Sequence, residues 1–163
     1  MTGLMDGFRS WAQVGSPGSD DGLELECSVA GPASVEEIQG AWDGEALPAE
    51  VLELWAECRE AELFADVVYG QWGMRVLTPR RSAEVLDFQK QDRPGDFTAG
   101  DIVIAEFLGD LELLVFAPSE EGDRKVMVAL ELDPRADWYS VGASLREFFQ
   151  KYLDAQGKKF WEQ

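Results

Sequence analysis

Leu23, Leu25, Cys27 and Val29 alternate with Glu24, Glu26 and Ser28, the two-residue period of a half-buried strand. Past the Gly31-Pro32 break the period lengthens to that of helices. Ser34 stands three residues before Glu37 in a capping-box pattern, which starts a helix running to about Trp42. After the Asp43-Gly44 turn, Pro48 takes the first position of a second helix, where its missing N–H leaves no intrahelical bond unmade. This helix runs to about Arg59. Val51, Leu54, Trp55 and Cys58 share one of its faces, and Glu50, Glu53, Glu57 and Glu60 gather roughly opposite. Residues Leu63–Leu77 read as one or two strands, the second beginning at Gly73. Thr78 and Pro79 then start a helix with a partial apolar face at Val85, Leu86 and Phe88. The polar Gln89–Gly95 stretch after it reads as a flexible loop.

Ile102–Phe107 and Leu111–Phe116 are apolar runs flanking Gly109-Asp110, the pattern of a β-hairpin whose strands are central. Lys125–Leu132 places Val126, Val128, Leu130 and Leu132 on one face of a further strand. The closing helix gathers Val141, Leu145, Phe148, Phe149, Tyr152 and Leu153 on one face and ends near Gly157 as its C′ residue. At the other end of the chain, Phe8–Val14 reads as a short helix and Gly15–Gly22 as a flexible stretch. Strands joined by short turns, with helices before, within and after them, predict an α+β fold: a central, mainly antiparallel sheet with helices packed around it.

The chain has 163 residues, 45% of them apolar, enough for one continuous core. Charge changes the picture more than size does. There are 32 Asp and Glu against 14 Lys and Arg and no His, a formal net charge of -18. Such a surface repels a phosphate backbone and an anionic membrane, so neither nucleic acid nor membrane is expected as a partner. The charge is lopsided: residues to Asp66 hold 15 acids and two Arg, or -13, and the remainder hold 17 acids and 12 basic residues, or -5. A field of one sign steers partners of the other, so the first part is where a basic partner is expected. Without His, the commonest general base, zinc ligand and nucleophile activator are all missing. Cys27 and Cys58 fit no metal-ligand spacing and read as small buried apolar groups. No cofactor and no metal are expected. Met1–Val14 has neither the apolar segment nor the cleavage site of a secretory signal, which predicts a cytoplasmic protein.

The order of motifs resembles the SUKH superfamily, which includes yeast cell-wall-synthesis regulators and many bacterial immunity proteins. Val35-Glu36-Glu37-Ile38 is similar to its opening acidic helix, and Gly44-Glu45-Ala46-Leu47-Pro48 followed by Val51, Leu54 and Trp55 to its Leu-Pro helix start. Gly100-Asp101-Ile102-Val103-Ile104-Ala105 with Gly109-Asp110 resembles its central hairpin. Val141-Gly142-Ala143-Ser144-Leu145-Arg146-Glu147-Phe148-Phe149 resembles its closing helix. Arg59-Glu60-Ala61-Glu62 stands where the family has a glycine turn, and the first thirty-odd residues lie outside its pattern. The resemblance divides the chain into an N-terminal extension carrying an edge strand (1–33), a SUKH-like domain (34–157) and a C-terminal tail (158–163) that reads as frayed.

What the resemblance implies is a non-catalytic immunity protein, a monomer or weak dimer, that binds the effector domain of a cognate toxin. A nuclease effector attracts phosphate with a basic cleft, for which an acidic surface competes. The residues singled out for partner binding are Asp43, Glu45, Glu50, Glu53, Glu57 and Glu60, with Trp72 as an aromatic anchor. A regulatory scaffold of the same fold is one alternative. Asp101, Glu106, Asp110 and Glu112, all on the predicted hairpin, pose another: a carboxylate-dependent hydrolase.

Overall fold

The computed structural model describes residues 3–14, 24–119 and 122–162, and the Gly15–Gly22 stretch lies outside the described residues. Helix α1 (Asp6–Val14) precedes strand β1 (Leu25–Val29), and two helices follow, α2 (Val35–Ala41) and α3 (Ala49–Glu57). Ser34 accepts the Glu37 N–H at 3.0 Å, as the capping pattern predicts, and so satisfies one of the donors that a helix start leaves unpaired. Thr78 does the same for Arg81 at 3.1 Å, opening α4 (Pro79–Asp92) with Pro79 in the first turn. Ser144 accepts from Glu147 at 3.0 Å to open α5 (Leu145–Asp154).

The remaining strands are β2 (Ala61–Asp66), β3 (Met74–Val76), β4 (Ile102–Phe107), β5 (Leu113–Pro118), β6 (Arg124–Ala129) and β7 (Tyr139–Gly142). They form one sheet in the order β1-β2-β3-β4-β5-β6-β7, every neighbouring pair antiparallel. The fold is therefore α+β on an antiparallel sheet, with β1 at an edge and the β4–β5 hairpin at the centre. Val103 lies opposite Val115, and Val115 opposite Met127, so β4, β5 and β6 share one apolar band. These strands are buried on both faces, which is why their sequences run apolar without alternation.

Two indoles tie the helical layer to the sheet. Trp55 of α3 donates its ring N–H to the Leu77 carbonyl, and Trp42, just past α2, donates to Pro79, each at 3.0 Å. Both acceptors lie at the junction between β3 and α4.

Four expectations are corrected. Val141 belongs to β7 and not to the closing helix, because the Ser144 cap starts that helix only at Leu145. Strand β6 stops at Ala129, and Leu132 beyond it is 90% exposed. Gln89–Asp92 continue α4, and Arg93 is no loose end: it pairs with Asp96 and donates to the carbonyls of Leu130 and Asp133. The C-terminal tail is packed: Phe160 and Trp161 stack against Phe148, and Lys159 pairs with Asp110 and Glu112.

The end of α5 shows why one glycine is needed. Gln156 N–H bonds to Leu153 and Gly157 N–H to Tyr152, the two bonds of a Schellman motif, so Gln156 is the C′ residue and Gly157 follows it. Both have positive φ, 52° and 85°. A Cβ on Gly157 would lie 2.5 Å from the Cβ of Phe64. Phe64 itself has φ 51° at a bulge in β2, where Glu26 faces Ala65 but Ser28 faces Glu62. The bulge turns the ring toward Phe8, Trp11 and Tyr152, at centroid distances of 5.9, 4.9 and 5.8 Å. Gly157→Ala is expected to cost about 1–3 kcal/mol in urea unfolding. Gly95→Ala, with open space around it, is expected to stay within about 0.5 kcal/mol.

Candidate partner-binding surface

The acidic stripe of α3 is largely engaged inside the molecule. Glu57 accepts the N–H groups of Leu4 and Met5, at 2.7 and 3.3 Å, where α1 begins. In return Arg9 of α1 donates to the Glu57 carbonyl at 2.8 Å, where α3 ends. Each helix thus neutralises a terminus of the other, with charge matched to dipole. Glu50 accepts the Leu145 N–H at 2.8 Å, the first residue of α5, and Glu53 pairs with Arg146 of the same helix at 2.5 Å. Glu60, beyond the helix, pairs with the exposed Arg59, which also holds Glu37 at 2.7 Å.

Asp43 and Glu45 are placed differently. Both are exposed in the loop between α2 and α3, and neither side chain has a partner among the described residues. Glu36, on the first turn of α2, is likewise exposed and unpaired. The loop is anchored at its root, where Trp42 bonds to Pro79. Trp72 does not join this group. It sits in the turn between β2 and β3, half-buried, with the Lys159 ammonium 5.6 Å from its ring centroid. Glu60 precedes β2 and Trp72 lies past its far end, so the length of that strand, about 20 Å, separates them.

The carboxylates of the predicted hairpin do not converge on one another. Asp101 is fully buried, bridged by Arg135 at 2.7 and 2.9 Å and bonded by the Thr98 N–H. Glu106 pairs with Arg75, which also holds Glu62. Asp110 and Glu112 share Lys159, whose side chain is only 9% exposed. Burial alone would lower the Lys159 pKa, but the two carboxylates outweigh it and hold the ammonium above its usual value. No set of three or more Cys, Asp and Glu side chains among the described residues is grouped to hold a metal ion. No helix among them is long and apolar enough to cross a membrane.

The sequence reading passed over one surface. A cleft of about 780 Å³ opens between the end of α4 and the β4–β5 turn, rimmed by Phe88, Leu111 and Leu132. They are 63%, 74% and 90% exposed. Leu111 and Leu132 read as strand positions in the sequence and Phe88 as part of a helix face, but β5 starts after Leu111, β6 ends before Leu132, and Phe88 faces solvent on α4.

Cys27 and Cys58 are buried free thiols. Burial pushes Cys27 up to about 11, against the Phe64 N–H that bonds its sulfur, and Cys58 up to about 12, against the nearby Arg9 charge. A thiol reagent at mildly alkaline pH is therefore expected to label neither in the native protein and both in urea. Glu57→Ala and Glu50→Ala are each expected to destabilise by about 1–2 kcal/mol in urea unfolding, as loss of a helix cap does. Glu45→Ala is expected to change stability by less than about 0.5 kcal/mol. No protein-family model matches the chain, and no curated protein matches it.

Proposed function

We propose that this chain is an immunity protein that binds the effector domain of a cognate toxin, a basic domain such as a nuclease, and neutralises it by docking an acidic surface. The observation that carries this reading is the set of exposed carboxylates, Glu36, Asp43 and Glu45, that have no counter-ion among the described residues in a chain of net charge -18. Unpaired surface acids held on an anchored loop favour a basic partner and speed its approach. The SUKH-like order of motifs agrees with this reading, and the α+β fold on an antiparallel sheet is compatible with it. The paired state of Asp101, Glu106, Asp110 and Glu112 argues for binding over carboxylate hydrolysis, since each is committed to a cation.

Co-expression with a toxin encoded by an adjacent gene is the direct test, with protection of the host cell as the expected result. Glu36→Lys, Asp43→Lys and Glu45→Lys together are expected to weaken toxin binding at least tenfold and flatten its salt dependence while leaving the melting temperature in place. Reversing Glu50 or Glu57 cannot serve here, because their loss also uncaps α5 or α1. Absence of both protection and binding would overturn the immunity reading, and recovery of a housekeeping complex in its place would favour the scaffold.

A further inference from the structure

Six of the nine large apolar side chains that the described residues leave exposed lie around one end of the sheet: Val67, Val68, Tyr69, Phe88, Leu111 and Leu132. Topology explains the clustering. In an antiparallel sheet whose spatial order follows chain order, the β2–β3, β4–β5 and β6–β7 connections all leave from the same end. The first two touch, since Leu108 donates to the Gly73 carbonyl at 2.8 Å and a Cβ on Gly109 would strike the Gln71 carbonyl oxygen. Buried Asp66 accepts the N–H groups of Val68 and Tyr69, at 2.9 and 3.2 Å, and so fixes the turn that presents Val67, Val68 and Tyr69. Exposed apolar groups concentrated on built turns, next to a cleft, mark a contact surface.

Charge says what that surface contacts. Among the residues lining the cleft, Asp92, Asp110 and Glu131 are exposed acids, and Asp92 and Glu131 have no partner among the described residues. Of the two arginines there, Arg93 has its guanidinium taken up by Asp96 and two carbonyls, which leaves Arg81 as the one cation of the lining without such bonds. A second copy of this chain would bring another -18 charge to the same acids, so self-association is opposed. A segment with an apolar face flanked by Lys or Arg fits both features, apolar side chains between Phe88, Leu111 and Leu132 and cations against the acids.

We infer that this cleft seats a basic amphipathic segment of the partner protein. The inference rests on the partner reading above and locates a second contact for it. Trp42 bonds to the first residue of α4, so Asp43 and Glu45 lie near the start of that helix, whereas Phe88 and Asp92 lie near its end. Fourteen residues of helix place these ends about 20 Å apart. One interface of about 800 Å² per partner spans that distance.

The probe is a fluorescent amphipathic peptide of leucine and lysine, titrated against the full chain, with a leucine and glutamate peptide as control. Phe88→Ser, Leu111→Ser and Leu132→Ser combined leave every charge in place and remove only exposed side chains, so circular dichroism melting is expected to be unchanged. The lysine peptide is expected to bind the unaltered chain and lose tenfold or more in affinity for the triple variant. Equal binding to the two, or equal binding of the glutamate peptide, overturns the proposal. The neighbouring toxin separates the two readings. If it binds the unaltered chain and the triple variant alike, the cleft is excluded as its seat while the immunity reading stands. If it binds neither and the peptide still discriminates, the immunity reading falls and the cleft stands.

Discussion

The N–H groups of Leu4 and Met5, just before α1, and of Leu145, the first residue of α5, are each taken by a carboxylate on α3. A nine-residue helix has little stability of its own, so α3 depends on the elements it joins as much as they depend on it. Its polar side fixes where α1 and α5 begin. Its apolar side carries Trp55 to the Leu77 carbonyl and so holds the point where β3 becomes α4. Like-charge repulsion along Glu50, Glu53 and Glu57 costs a few tenths of a kcal/mol per pair, which the bonds to helix termini exceed. The acidity of this helix is thus in large part architectural.

That commitment redistributes the charge open to a partner. Among the exposed acids without internal bonds, Glu36, Asp43 and Glu45 sit near the start of α4, and Asp92 and Glu131 near its end. Arg59 and Arg75 each hold two carboxylates and Lys159 holds three, so these cations act as bridges. A chain so poor in cations keeps its sheet together by sharing them.

Elements whose signal is local were legible in the sequence. Ser34 and Thr78 cap the helices expected of them, and Gly109-Asp110 turns the central hairpin. Elements decided at a distance were not. Strand β7 is four residues long and takes its place from pairing with β6, and its Val141 falls in helical phase with Leu145 and Phe148. Leu132 continues the alternation of Val126 and Val128, yet Arg93 binding to Leu130 and Asp133 pulls the chain off the sheet just there. The tail looked frayed because its anchor, Lys159, finds its carboxylates 47 and 49 residues away. The α3 stripe was visible as a pattern, but whether a carboxylate faces water or another helix's first turn depends on packing that periodicity does not encode.

Strands β2 and β3, and the run from β4 to β7, pair as chain neighbours across short loops, while β1–β2 and β3–β4 pair across helical connections. The contacts of α3 with α5 are of another kind, reaching across 95 residues from Glu50 and 93 from Glu53. Closing so long a loop before any other contact forms is entropically costly, so the meander is the part able to organise early and the α3–α5 clasp the part that completes last. Side chains in the clasp are then expected to have low φ-values, so that its strength governs how slowly the protein unfolds more than how fast it folds.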